Sequence, residues 1–149
     1  MKPIDKTAAT ARVLPKLKSQ FGKLVHEQSA EGPVVVDFPS HDFPVQVYSY
    51  EGPPGAVLRV CCAVSKSADW SDGLAEYLLR ESSDLLIGSV ARRGEGIAVE
   101  QVLIGNVATD TLGATVFTIA HFAARLQRDL TLMGALTTPD AASKEDPGP

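Results

Sequence analysis

The sequence predicts one α+β domain in which a five-stranded antiparallel sheet is packed by helices, in the order αβββαββα. Three observations carry this expectation. Apolar residues recur at steps of three and four in three separate segments, which is helical spacing. Five short segments between them are β-branched or alternate apolar with polar side chains, the pattern of strands. Clusters of Gly, Pro and Asp punctuate nearly every boundary. The 149-residue length suits a single domain, and 44% hydrophobic with 21% charged residues is an ordinary globular balance.

The first helix is expected over about residues 7–28. Leu14, Leu17, Phe21 and Leu24 form its apolar stripe, with Lys16, Lys18, Lys23 and Glu27 on other faces. Pro15 lies inside the pattern and marks either the start of the regular helix or a kink. Glu31-Gly32-Pro33 ends the segment.

Three strands follow. The first, Val34–Phe38, is short and β-branched; the second, Phe43–Glu51, places Phe43, Val45, Val47 and Ser49 on one face and Pro44, Gln46, Tyr48 and Tyr50 on the other. After the turn Gly52-Pro53-Pro54-Gly55, the third strand, Ala56–Val64, is apolar at nearly every position except Arg59, as a central strand should be. A second helix is expected to open at Ser67–Asp69, with Ser67 or Asp69 as its cap and Gly73 as a weak point within it. Its apolar face would comprise Trp70, Leu74, Tyr77 and Leu78.

Two more strands, Leu85–Ala91 and Ile97–Gly105, flank Arg92-Arg93-Gly94-Glu95-Gly96, which has hairpin-loop composition. The final helix, capped at Thr109, carries a seam of Leu112, Val116, Ile119, Ala123, Leu126, Leu130 and Met133 and stops near Gly134. The domain thus spans residues 1–136. The tail, 137–149, is expected to be disordered, since it holds prolines and charges with almost no large apolar residue.

This order, with its long closing helix, resembles the type III secretion chaperone-like fold, in particular its YbjN-related bacterial branch. The resemblance runs from about Val13 to Leu130. It is most telling over Leu74–Val90, where a leucine-rich helix, a polar break and an apolar-Gly strand precede a hairpin and the last helix. The sequence departs from the pattern at Arg80-Glu81-Ser82-Ser83, where an asparagine often stands. The resemblance implies a homodimeric, non-enzymatic protein that binds other polypeptides. Some relatives escort secreted proteins, and YbjN-like members are described as regulators.

Composition narrows function further. A formal charge of −4 disfavours binding to nucleic acid by phosphate neutralisation. No apolar run reaches the ~18 residues of a membrane span, and no secretory leader opens the chain, so a cytoplasmic protein without membrane insertion is expected. Cys61 and Cys62 are adjacent and point to opposite sides of a strand, which excludes a disulfide scaffold and leaves one core residue and one partly covered thiol. No cofactor, metal site or catalytic group is expected.

The chemical candidates each have a structural counterpart. His26 is expected near the end of the first helix, and His121 off the seam of the last. His41-Asp42 with Asp37 is a possible metal or base site, although an Asp-rich turn also satisfies its own backbone. Gly94-Glu95-Gly96 lacks the following helix of a phosphate cradle. Arg92 and Arg93 are either a solvated loop or a contact for an acidic partner. Redox sensing by Cys62 would require a low-pKa thiol.

Two functional classes follow. In the first, Trp70, Leu74, Tyr77 and Leu78 form surplus apolar helix surface that contacts a second copy or another protein, or else pack on the sheet. An exposed sheet edge or an apolar groove would then take up an extended or helical segment of the partner. In the second, a pocket on the sheet lined by Tyr48, Tyr50 and Cys61 or Cys62 serves a small-molecule-binding regulator or enzyme.

Overall fold

The computed structural model describes residues 6–27, 32–52, 55–71 and 73–136. The expected tail and the Pro53-Pro54 pair lie outside them. The architecture is α+β, with three helices and one open antiparallel sheet. The elements are α1 (Lys6–Phe21), β1 (Val25–Glu27), β2 (Val34–Val36), β3 (Val45–Gly52), β4 (Gly55–Ser65), α2 (Leu74–Asp84), β5 (Ser89–Arg93), β6 (Gly96–Ile104) and α3 (Thr109–Leu132).

The sheet has six strands instead of five, in the order β1-β2-β3-β4-β6-β5. The additional strand comes from the end of the segment read as helix. Gly22 adopts φ +55°, a 3₁₀ turn covers Gly22–Leu24, and the chain then pairs Val25, His26 and Glu27 with Val36, Val35 and Val34. A left-handed residue breaks the helical ladder at little cost only when it is glycine. His26 is therefore an exposed strand residue, not a helix terminus.

The strand order has a physical cause. β6 is long and carries the fully buried Ile97 and Val99, so it occupies the centre beside β4. β5 is short and ends in Arg92-Arg93, which suits an edge. Helix α2 carries the chain from β4 past the position of β6 to that edge, and a hairpin returns it inward. Gly96 is required where the hairpin re-enters: a Cβ there would stand 2.4 Å from the backbone oxygen of Ser65.

All three helices lie over one face. Val13 and Leu17 of α1, Leu74 and Leu78 of α2, and Leu112, Val116, Ile119, Ala123, Leu126 and Leu130 of α3 join Val45, Val47, Leu58, Val60, Cys62 and Val64 in one core. The α3 seam ends at Leu130. Met133 is exposed at the C-cap, where Gly134 (φ +71°) and Ala135 donate back to Thr131 and Leu130. The N-cap of α3 is Ala108, so Thr109 is the first helical residue and not the cap.

Helix α2 begins seven positions after Ser67, at Leu74, with Gly73 (φ +82°) at its N-cap. The preceding residues are held elsewhere. Ala68 bridges to Leu136, the Asp69 amide donates to Ala135 O, and the Asp69 carboxylate accepts from the Ser71 amide and hydroxyl. Those hydrogen bonds hold the Asp69 carboxyl below its ordinary range. A short polar side chain that satisfies its own turn competes with helix formation there.

The uncovered sheet face as candidate site

Side chains alternate along each strand, so burying one set against the helices directs the other set away from them. The strand register defines what that second set contains. One cross-strand row is Tyr50, Val57 and Ile104, and the next is Tyr48, Arg59 and Val102. A third row contains Gln46, Cys61, Glu100 and Ser89. None of the first two rows belongs to the core. Val102 is 48% exposed and Ile104 70%, next to each other on the outer face of β6, past the end of its pairing with β5. Other exposed apolar residues, Leu79, Leu86, Phe117, Leu132 and Met133, sit on the helices and on the turn after α2.

The polar groups of this face are unevenly matched. Arg93 on β5 donates two guanidinium nitrogens to the Glu100 carboxylate, at 3.2 and 2.6 Å to Oε2. That hydrogen bonding raises the Arg93 pKa. Arg59 has no such counterpart. Its guanidinium carbon stands 5.0 Å from the centre of the Tyr48 ring, and its buried Nε meets no hydrogen-bond partner. Among the described residues no carboxylate pairs with it. Burial pushes the Tyr48 phenol up despite the neighbouring cation. It also pushes up the Cys61 thiol, and Arg59 only partly offsets that effect.

Of the four aromatic and aliphatic residues expected on one helical face, Leu74 and Leu78 lie in the core, and Trp70 and Tyr77 pack partly buried against it. Leu74 and Leu78 are 5% and 6% exposed and belong to the chain's own core. Trp70 precedes α2. Its indole nitrogen donates to Glu95 O at 2.8 Å, and Arg92 stacks over its ring at 4.2 Å. The half-buried Tyr77 is on α2; burial, then Glu81, raises its phenol. Exposed apolar surface is divided between the sheet, at Val102 and Ile104, and the helices with the turn after α2, at Leu79, Leu86, Ile87, Phe117, Leu132 and Met133. The exposed sheet residues were not visible to sequence reasoning, because a helical stripe can be read from spacing while the side of the sheet that the helices cover cannot.

The cysteines divide as expected: Cys62 is buried among the helices and Cys61 is half-buried on the uncovered face. Burial pushes the Cys62 thiol up to about 12, the opposite of a redox sensor's requirement. Tyr48 and Cys61 share a face that Cys62 does not, so the expected pocket cannot include Cys62. His41 packs its ring 5.4 Å from Phe38, and no group of three His, Cys, Asp or Glu side chains suited to a metal occurs among the described residues. No helix among them is long and apolar enough to cross a membrane.

A cleft of about 50 Å³ lies between α1 and the β6–α3 connection, lined in part by Arg12, Lys16, Leu58 and Val107. Its cations are engaged. Arg12 pairs with Glu51, and Lys16 donates to Asn106 Oδ1 at 3.1 Å and Val107 O at 2.8 Å.

The sheet also presents edges. β1 has three residues and β5 five, and the Val90 amide of β5 is taken by the Ser82 hydroxyl of α2 at 3.0 Å. Among the described residues, positions 48–52 of β3 run past β2, and positions 101–104 of β6 run past β5, with no strand paired on their outer side. No family model matches the sequence, and no curated protein does.

Proposed function

We propose that this protein is a non-enzymatic protein-binding module, chaperone-like or regulatory, which acts as a homodimer and binds other polypeptides. The observation that carries the reading is the patch on the uncovered sheet face, where the exposed Val102 and Ile104 adjoin the half-buried Val57, Tyr48 and Tyr50. Clustered apolar surface rimmed by polar groups marks interaction sites, whereas single exposed apolar residues do not. Tyr and Arg, present here together, are the residue types that dominate binding energy at interfaces. The resemblance to secretion chaperone-like proteins supports the same class of activity.

Two measurements test this reading. Light scattering on the eluting protein should give about twice the 15.8 kDa chain mass. A monomer at micromolar concentration would remove the dimer. Polypeptide capture by the native chain should be lost in Ile104→Asp with the melting temperature retained. Capture that survives Ile104→Asp would move the function away from this face. A thermal-shift screen of metals, nucleotides and metabolites should show no large saturable stabilisation.

A further inference from the structure

We infer that the uncovered face selects a partner helix whose apolar stripe carries a carboxylate, and that Arg59 is the residue that reads it. The inference rests on the proposed protein-binding role of the face and specifies the partner's chemistry. Three observations combine. Arg59 lies on β4 in the middle of the patch, between Tyr48 and Val102 across the strands and between Val57 and Cys61 along its own. Its Nε is buried without a hydrogen-bond partner, and no described carboxylate neutralises it. The other cation on this side, Arg93, is already paired with Glu100.

A guanidinium donates in a planar fork that fits a carboxylate. Tyr48 stacks on the group and helps to fix its plane. Covering Arg59 with a purely apolar surface would strand its donors and its charge, which is costly. A second copy docked about a two-fold axis through Arg59 would oppose it with another Arg59. A complementary charge is supplied by a different surface, one with Asp or Glu flanked by apolar side chains. A helix suits the site by size. Strands β3, β4 and β6 have eight, eleven and nine residues. At about 3.3 Å per strand residue the shortest of these, eight residues long, spans about 26 Å, the length of a helix of about 18 residues. The opposite face of the same sheet is already covered by helices.

The test uses two synthetic amphipathic peptides of about 18 residues, with leucines along one face and either glutamate or glutamine at its centre. Fluorescence anisotropy with the full chain should show the glutamate peptide binding about tenfold tighter, the lower end of what one charge-assisted hydrogen bond contributes. Arg59→Gln should equalise the two peptides while melting no lower than the native chain. Arg93→Gln should preserve the preference, and Ile104→Asp should weaken both peptides. Equal binding by the native chain would overturn the inference and leave the protein-binding role standing. Binding of neither peptide would overturn the inference and remove the face from the proposed function. If Ile104→Asp converts a dimer to a monomer while the native chain ignores the peptide charge, the occupant is a second copy and the inference fails.

Discussion

Strand β6 carries Ile97 at one end and Ile104 at the other, an odd number of positions apart, so they face opposite sides of the sheet. Ile97 is fully buried under the helices, while Ile104 is 70% exposed. The same contrast recurs on β4, where Cys62 and Val60 are sealed while Arg59 and Cys61 stay half-exposed. The covered side is built from Val, Leu and Ile. The uncovered side mixes tyrosine, arginine, glutamine and glutamate with a few aliphatic residues. One face thus provides the stability of the domain, and the other retains surface that folding does not require.

The sharpest way to break this comparison is to truncate the two isoleucines separately. Ile97→Ala should cost about 2–5 kcal/mol in urea unfolding, and Ile104→Ala should remain within about 0.5 kcal/mol of the native chain. Equal losses would show that both faces are buried. Close backbone approach is the second lever. Gly96→Ala should cost about 1–3 kcal/mol because the new methyl meets backbone. Gly113→Ala should stay within about 1 kcal/mol, since its methyl meets only the movable end of Gln20 and the alanine favours the helix.

The thiols sharpen the contrast by pH. Cys62 has its folded pKa raised to about 12 from an ordinary 9.0. Its stabilising contribution is full below pH 9 and declines as the unfolded thiol ionises, by about 1.4 kcal/mol per pH unit until the folded thiol also titrates. Cys62→Ala should flatten that alkaline decline after allowance for its lower baseline stability. At pH 8 a disulfide reagent should modify Cys61 in the native chain and reach Cys62 only as fast as the protein unfolds. Rapid reaction of both would contradict the sidedness of β4.

A further small effect concerns charge. Removing the pair between exposed Arg125 and half-buried Glu81, separated by 3.9 Å, should change stability by less than about 1 kcal/mol.

Much of the fold is legible in the residues. The α3 seam from Leu112 to Leu130, the alternation of Val45, Val47 and Ser49 against Gln46, Tyr48 and Tyr50, and the hairpin around Gly94-Glu95 all announce their structure. Two features are not legible and a third is only partly so. Leu24 and Val25 fit a continuing helical stripe, and only pairing with β2 makes Val25–Glu27 a strand. Trp70 fits the spacing of α2, but hydrogen bonds to the C-terminal segment and the hairpin hold its region outside the helix. The candidate site was half-visible: Tyr48, Tyr50 and Cys61 were singled out, whereas Arg59, Val102 and Ile104 gained meaning only when the register aligned them.

Local periodicity determined most of the helices and strands here, Val25–Glu27 and the Trp70 region excepted, because backbone geometry repeats every 3.6 or 2 residues. It also determined that β3 has two chemically different sides. The tertiary structure decided that β6 separates β4 from β5, and that all three helices crowd onto one face. Those outcomes depend on contacts between segments far apart in the chain, whose joint burial no single segment encodes. Arg59 thereby came to stand on the uncovered face, between Tyr48 and Val102, with no carboxylate paired to it among the described residues.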